Sequence, residues 1–205
     1  MTAILVALLG LVVLRMYHAA VKPVPGKAVA AYYDSASDQV RQAAAYVKKG
    51  ATVVVLVFDA EMRSQNNEPL KRMIKALKEE NLSIQHVERL VMDTSRGWSY
   101  TIPGFPYEEY VRVAREYPKA DAILSLCSVP YSVPASEKTD VSSLPPLMLM
   151  RAVPWSQELS RLVEGGWVAM AVVTKSPDMK DEGTPEGSAF DQKFGILTSS
   201  GLKTL

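Results

Sequence analysis

Thiols and imidazoles are scarce in this chain of 205 residues, which has one cysteine, Cys127, and two histidines, His18 and His86. A single cysteine excludes an intrachain disulfide and a cysteine-based zinc site. Two histidines, one of them beside an N-terminal apolar run, exclude a histidine-rich metal centre. An excess of either charge is also missing, with 23 Lys and Arg against 22 Asp and Glu. The basic face by which nucleic-acid binders displace counterions is therefore not implied, and no nucleic-acid partner is expected. Phosphate loops are absent. The turn after Phe58 runs from Asp59 to Ser64 without a glycine, and no Gly-x-x-x-x-Gly-Lys-Ser/Thr occurs. Nothing can cradle a pyrophosphate on bare backbone, so no nucleotide cofactor is expected.

Catalytic pairings are lacking as well. A thiol needs a base to become the nucleophilic thiolate. The only histidine of the domain, His86, falls inside an alternating strand pattern. No Gly-x-Ser-x-Gly elbow surrounds Ser125 to Ser128. Asp59 and Glu61 offer two neighbouring carboxylates of the kind that bind Mg²⁺, but they are a single pair, and no metal is expected. The chain reads as a non-enzymatic protein.

What is present begins with apolar character, 48% of residues, which is enough for a core. Ala3 to Leu14 is an unbroken apolar run. Extended from Thr2 to Val21 it reaches the ~20 residues that span a bilayer, with Arg15 as its one charge. The expectation is a single-pass N-terminal transmembrane helix over 1–21, a Pro/Gly-stiffened linker over 22–27 and one α/β domain over 28–205. Arg15, Lys22 and Lys27 follow the run and nothing basic precedes it. The positive-inside rule then favours a cytoplasmic domain. A signal peptide cut near Ala19 and Ala20 competes, though no Lys or Arg precedes the run, as does an amphipathic surface helix, though the run has no polar face.

Along the domain, Ala28 to Lys49 has helical spacing (Tyr32, Val40, Ala43, Ala44, Val47) and Gly50 as its stop. Thr52 to Phe58 is a continuous β-branched run, the mark of a strand buried on both faces. Further helices are expected at Glu68 to Asn81 (Leu70, Ile74 and Leu77 inward), Tyr107 to Glu116 and Ser156 to Glu164. Further strands are expected at Leu82 to Met92, Asp121 to Cys127, Leu147 to Met150, Trp167 to Thr174 and, as an edge, Phe194 to Thr198. Alternating strands and helices imply a three-layer Rossmann-like or flavodoxin-like fold, a mostly parallel sheet with helices on both faces.

The strand, charged helix and strand from Lys49 to Leu90, the Lys119–Ile123 and Gly166–Val168 strand entries and the Phe190–Thr198 ending resemble one lobe of the type I periplasmic-binding-protein superfamily. That resemblance implies a ligand site facing a second lobe, for which this chain has no residues, and a periplasmic setting, opposite to the charge count.

In open α/β sheets, ligands bind beyond the carboxyl ends of the strands. That rule nominates Asp59 together with Arg63, Arg96 and Arg151, three arginines whose guanidinium forks suit a small anion. Solvated, helix-capping loop residues would look the same. The loop from Trp98 to Tyr107 holds Trp98, Tyr100, Phe105 and Tyr107, and a proline-bearing loop, Val129 to Pro146, holds Tyr131. Aromatics dominate interface energetics, so these five are candidate contacts with a partner protein, or local core. The leading expectation is a membrane-anchored accessory or scaffold subunit, in contact with lipid and with other membrane subunits. The alternative is a ligand-binding or sensory domain.

Overall fold

The computed structural model describes residues 37–65, 67–91, 104–133, 143–154, 156–174, 194–199 and 201–203. The chain divides after Asp34, and everything described belongs to the second unit, Ser35–Leu205. The expected anchor and linker lie outside the described residues. Among the described residues, no helix is long and apolar enough to cross a membrane.

Residues 37–44 form helix α1. Strand β1 (Thr52–Phe58) follows, then a short helix α2 (Asp59–Arg63), helix α3 (Glu68–Glu79) and strand β2 (Ser83–Leu90). Next come the two-residue strand β3 (Phe105–Pro106), helix α4 (Tyr107–Glu116), strand β4 (Ala122–Ser125) and the two-residue strand β5 (Pro130–Tyr131). Strand β6 (Leu147–Pro154), helix α5 (Gln157–Glu164) and strands β7 (Met170–Thr174), β8 (Phe194–Thr198) and β9 (Gly201–Lys203) complete the described order.

Seven strands form one sheet in the order β2-β1-β4-β6-β7-β8-β9. The pairs from β2 to β7 are parallel, and β8 and β9 join antiparallel. Phe194–Thr198 is therefore not the edge that its sequence suggests, because β9 turns back on it, pairing Gly201 with Thr198. The sheet is the mostly parallel one expected from the alternation of elements.

Strand β1 shows why. Val53, Val55 and Val57 pack with α1 and α3, while Val54, Leu56 and Phe58 pack with α4 and α5. Helices thus cover both faces, and a strand between two helical layers has no use for polar side chains. Burying each such Val or Leu stabilises the fold by about 1.5–3 kcal/mol. In α3 the core residues are Leu70, Met73, Ala76 and Leu77, on one helical stripe. Met73 takes the inward place that spacing assigns to Ile74, which is only partly buried. The helix stops two residues short of its expected end, where Asn81 turns to φ 61°. In α5 the Ser156 side chain accepts a hydrogen bond from the Leu159 N–H at 3.1 Å, the usual N-cap.

Candidate functional site at the carboxyl ends of the strands

The chain leaves β1 to build β2 on one side of it and β4 on the other. The order reverses between β1 and β4, and at such a switch point the connecting loops part and open a crevice. Three segments meet there: α2 after β1, the end of β4 with the residues up to Ser128, and the end of β6.

Two of the nominated arginines are held by carboxylates. Arg63 Nε lies 2.6 Å from Asp59 Oδ2, one helical turn away in α2. Its side chain is 77% exposed, so the pair contributes little. Arg151 Nη1 donates to Glu61 Oε1 at 2.8 Å across 90 residues of chain. Both side chains are about a third exposed, at 29% and 32%, so this pair is screened less. Two arginines against Asp59 and Glu61 leave these four charges balanced. Arg96 lies outside the described residues.

Arg151 owes its place to an irregularity in β6. Leu149 pairs with Ala171 and Val153 with Val173. Three residues of β6, Met150 to Ala152, therefore stand opposite the single Val172. Strand β4 ends at Ser125, opposite Leu149, and gives the bulged stretch no partner on the other side. Bulges re-aim side chains, often beside functional sites. The Ala152 N–H donates instead to Gln39 Oε1 of α1 at 3.1 Å.

Cys127, which the charges of both Glu61 and Arg151 reach, comes from the end of β4 together with Ser125 and Ser128. Ser125, Cys127 and Ser128 are all buried. Burial pushes the Cys127 thiol well above its ordinary pKa, and the Glu61 carboxylate adds to the rise. Arg151 and the nearby Ser125 hydroxyl oppose it. Burial thus favours the protonated thiol over the nucleophilic thiolate. Ser125 Oγ, fully buried, makes no hydrogen bond of good geometry among the described residues. A buried hydroxyl left unmatched costs about 1–3 kcal/mol, and such groups cluster where a ligand or an ordered water completes them.

The aromatic candidates separate. Phe105 and Tyr107 are 0% and 2% exposed in the core under α4, so they offer no surface to a partner and take the local-core reading instead. Tyr131 is half-buried in β5. Trp98 and Tyr100 lie outside the described residues. The two long loops are joined by a seam, with Phe105 paired to Pro130 and Pro106 to Tyr131. Gly104 makes the approach possible, since a Cβ there would stand 2.5 Å from the Val129 carbonyl oxygen.

Sequence reasoning missed three participants. Glu61 is legible only as a carboxylate beside Asp59, because the contact that matters comes from β6. Ser125 is hidden inside an apolar strand. Gln39 carries no signal at all, since its role depends on the β6 bulge.

No protein-family model matches the chain, and no curated protein matches it in sequence. Among solved structures it is similar to an arabinose-binding protein from Geobacillus stearothermophilus, at 12% identity and TM-score 0.49, over 82% of this chain and 61% of that one. It is also similar to a solute-binding protein of an ABC transporter from Burkholderia graminis in complex with D-arabinose, at 11% identity and TM-score 0.47, over 69% of this chain and 46% of that one. A periplasmic ribose ABC transporter protein from Conexibacter woesei matches at 12% identity and TM-score 0.42, over 69% of this chain and 45% of that one. The chain spans about half the length of these proteins.

Proposed function

We propose that the domain is a non-enzymatic binding lobe for a small, uncharged, hydroxyl-bearing ligand at the carboxyl ends of β1, β4 and β6, and that the apolar run Ala3–Leu14 holds it at a membrane. The observation that carries the reading is the Arg151–Glu61 pair beside the unmatched Ser125 hydroxyl, at the point where the strand order reverses. A carboxylate and a guanidinium fixed side by side offer acceptor and donor together, which matches neighbouring hydroxyl groups on one ligand. An anion would have to displace Glu61 from Arg151. The charge balance therefore favours a neutral ligand over the small anion that the arginines alone suggest.

The accessory-subunit reading keeps less support. Two of its five contact residues are core, and Val91, 83% exposed, is a single apolar side chain of the kind any surface carries.

Thermal denaturation against pentoses, inositols, phosphate and citrate tests the proposal. A neutral polyol at ~100 times its Kd is expected to stabilise the wild type by about 2.7 kcal/mol. The same polyol is expected to leave Arg151→Met and Glu61→Gln unmoved. A response to the anions alone, or to nothing in the panel, would overturn the reading.

A further inference from the structure

The Arg151–Glu61 pair joins two elements that no ladder holds at that level. Among the described residues, Met150 to Ala152 of β6 have no one-to-one strand partner, since β4 has ended and β7 resumes its register only at Val153. A backbone N–H in such a stretch still needs an acceptor, and a bulge without one would be free to relax into regular pairing. The acceptor is Gln39, a side chain only 8% exposed, brought from α1 on the opposite side of the sheet from α4 and α5. Its Oε1 receives the Ala152 N–H at 3.1 Å. Ala152 is the next residue after Arg151. Side chains alternate along β6: Leu147, Leu149 and Val153 face the α4/α5 layer, and Met150 and Ala152 face the α1/α3 layer. A fixed Ala152 thus holds Arg151 toward the opposite face, where Cys127 also lies.

We propose that Gln39 is the positioning residue of the ligand site: by holding the β6 bulge at Ala152 it sets Arg151 on Glu61. Its consequence for binding rests on the ligand reading above, whereas its geometry does not. Helix α1 thereby belongs to the site through the Ala152 backbone.

The test uses the full chain and its variants, with NMR signals of the Ala152 amide and the Arg151 guanidinium as readouts. Gln39→Leu removes the acceptor and keeps the bulk. The Ala152 amide is expected to exchange about tenfold faster or more, and the Arg151 guanidinium signal to move to its position in Glu61→Gln. Gln39→Glu keeps an acceptor oxygen and is expected to restore both. If Gln39→Leu does not fold, Gln39→Asn, one methylene shorter, supplies the same comparison. An Arg151 signal that stays at its wild-type position while Ala152 exchange quickens would overturn the proposal, because Gln39 would then be supporting backbone alone. Where a polyol binds, Gln39→Leu should weaken it about tenfold and have no further effect in an Arg151→Met background, while additive losses would contradict the proposal. If nothing in the panel binds, the ligand reading fails, and the Arg151 signal still decides the role of Gln39.

Discussion

Ser125 and Tyr107 are both buried hydroxyls without a hydrogen bond among the described residues, and they stand in different surroundings. Tyr107 is packed at the start of α4 between Tyr110 and an edge-on Trp167, ring centroids 5.2 Å from each. Its neighbour Tyr110 donates its hydroxyl to the Pro145 carbonyl at 2.8 Å. Burial raises the pKa of both phenols, that of Tyr110 to about 12. Ser125 stands at the switch point beside Cys127. Removing either hydroxyl removes an unmatched polar group, so Tyr107→Phe and Ser125→Ala are each expected to leave urea stability unchanged or raise it by up to about 1 kcal/mol. Only Ser125→Ala is expected to abolish the polyol response. Equal ligand binding by both variants would take Ser125 out of the site. Of the residues the sequence nominated, Arg151 could be found because an arginine just beyond an apolar run stands out. Ser125 could not, because the strand around it reads as continuous core.

At the level of elements, β2 and α4 show how an edge is held. Arg112 of α4 donates to Glu88 of β2 and to Glu109 and Glu116 on its own helix. His86 Nε2 lies 3.0 Å from Glu88 Oε2, and its ring stacks on Tyr117 at 5.1 Å. Burial opposes ionisation of Glu88, but hydrogen bonds from Arg112 and His86 outweigh it and hold the carboxyl below its usual range. A carboxyl lowered on folding contributes stability that is present above the unfolded value of ~4.3 and lost as pH falls through the folded value. Urea midpoints of wild type and Glu88→Gln are therefore expected to differ near about pH 6 and to converge near about pH 3. A difference independent of pH would mean that Glu88 acts through packing. Legibility follows the same physics. Strand β1, helix α4 and strand β8 fall on the residues that periodicity assigns them, because each has one dominant pattern. The pattern ends strand β6 at Met150, whereas it runs to Pro154, since an exposed-looking Arg151 hides a bulge that Gln39 supports from over a hundred residues away. The short α2, β3, β5 and β9 have too few residues for any period to show.

At the scale of the whole molecule, the sheet order rather than any motif locates the site, and that order follows from β1 sending the chain first to one side and then to the other. The anchor remains a proposal drawn from Ala3–Leu14. It is tested by alkaline carbonate washing of membranes that carry the full chain, where retention in the pellet is expected and release into the wash would contradict it. Removing Met1 to Val21 should give a folded protein in the aqueous fraction, because both faces of the sheet are already covered by helices. The central claim is that a neutral, hydroxyl-bearing ligand sits at the carboxyl ends of β1, β4 and β6. Titration of the isotope-labelled chain with the polyol panel, followed through its amide signals, tests it most directly. Shifts that saturate at Glu61, Ser125, Leu126 and Arg151, and are lost in Ser125→Ala, are the expected result. Saturating shifts confined to the opposite ends of the strands, or none at millimolar polyol, would contradict it.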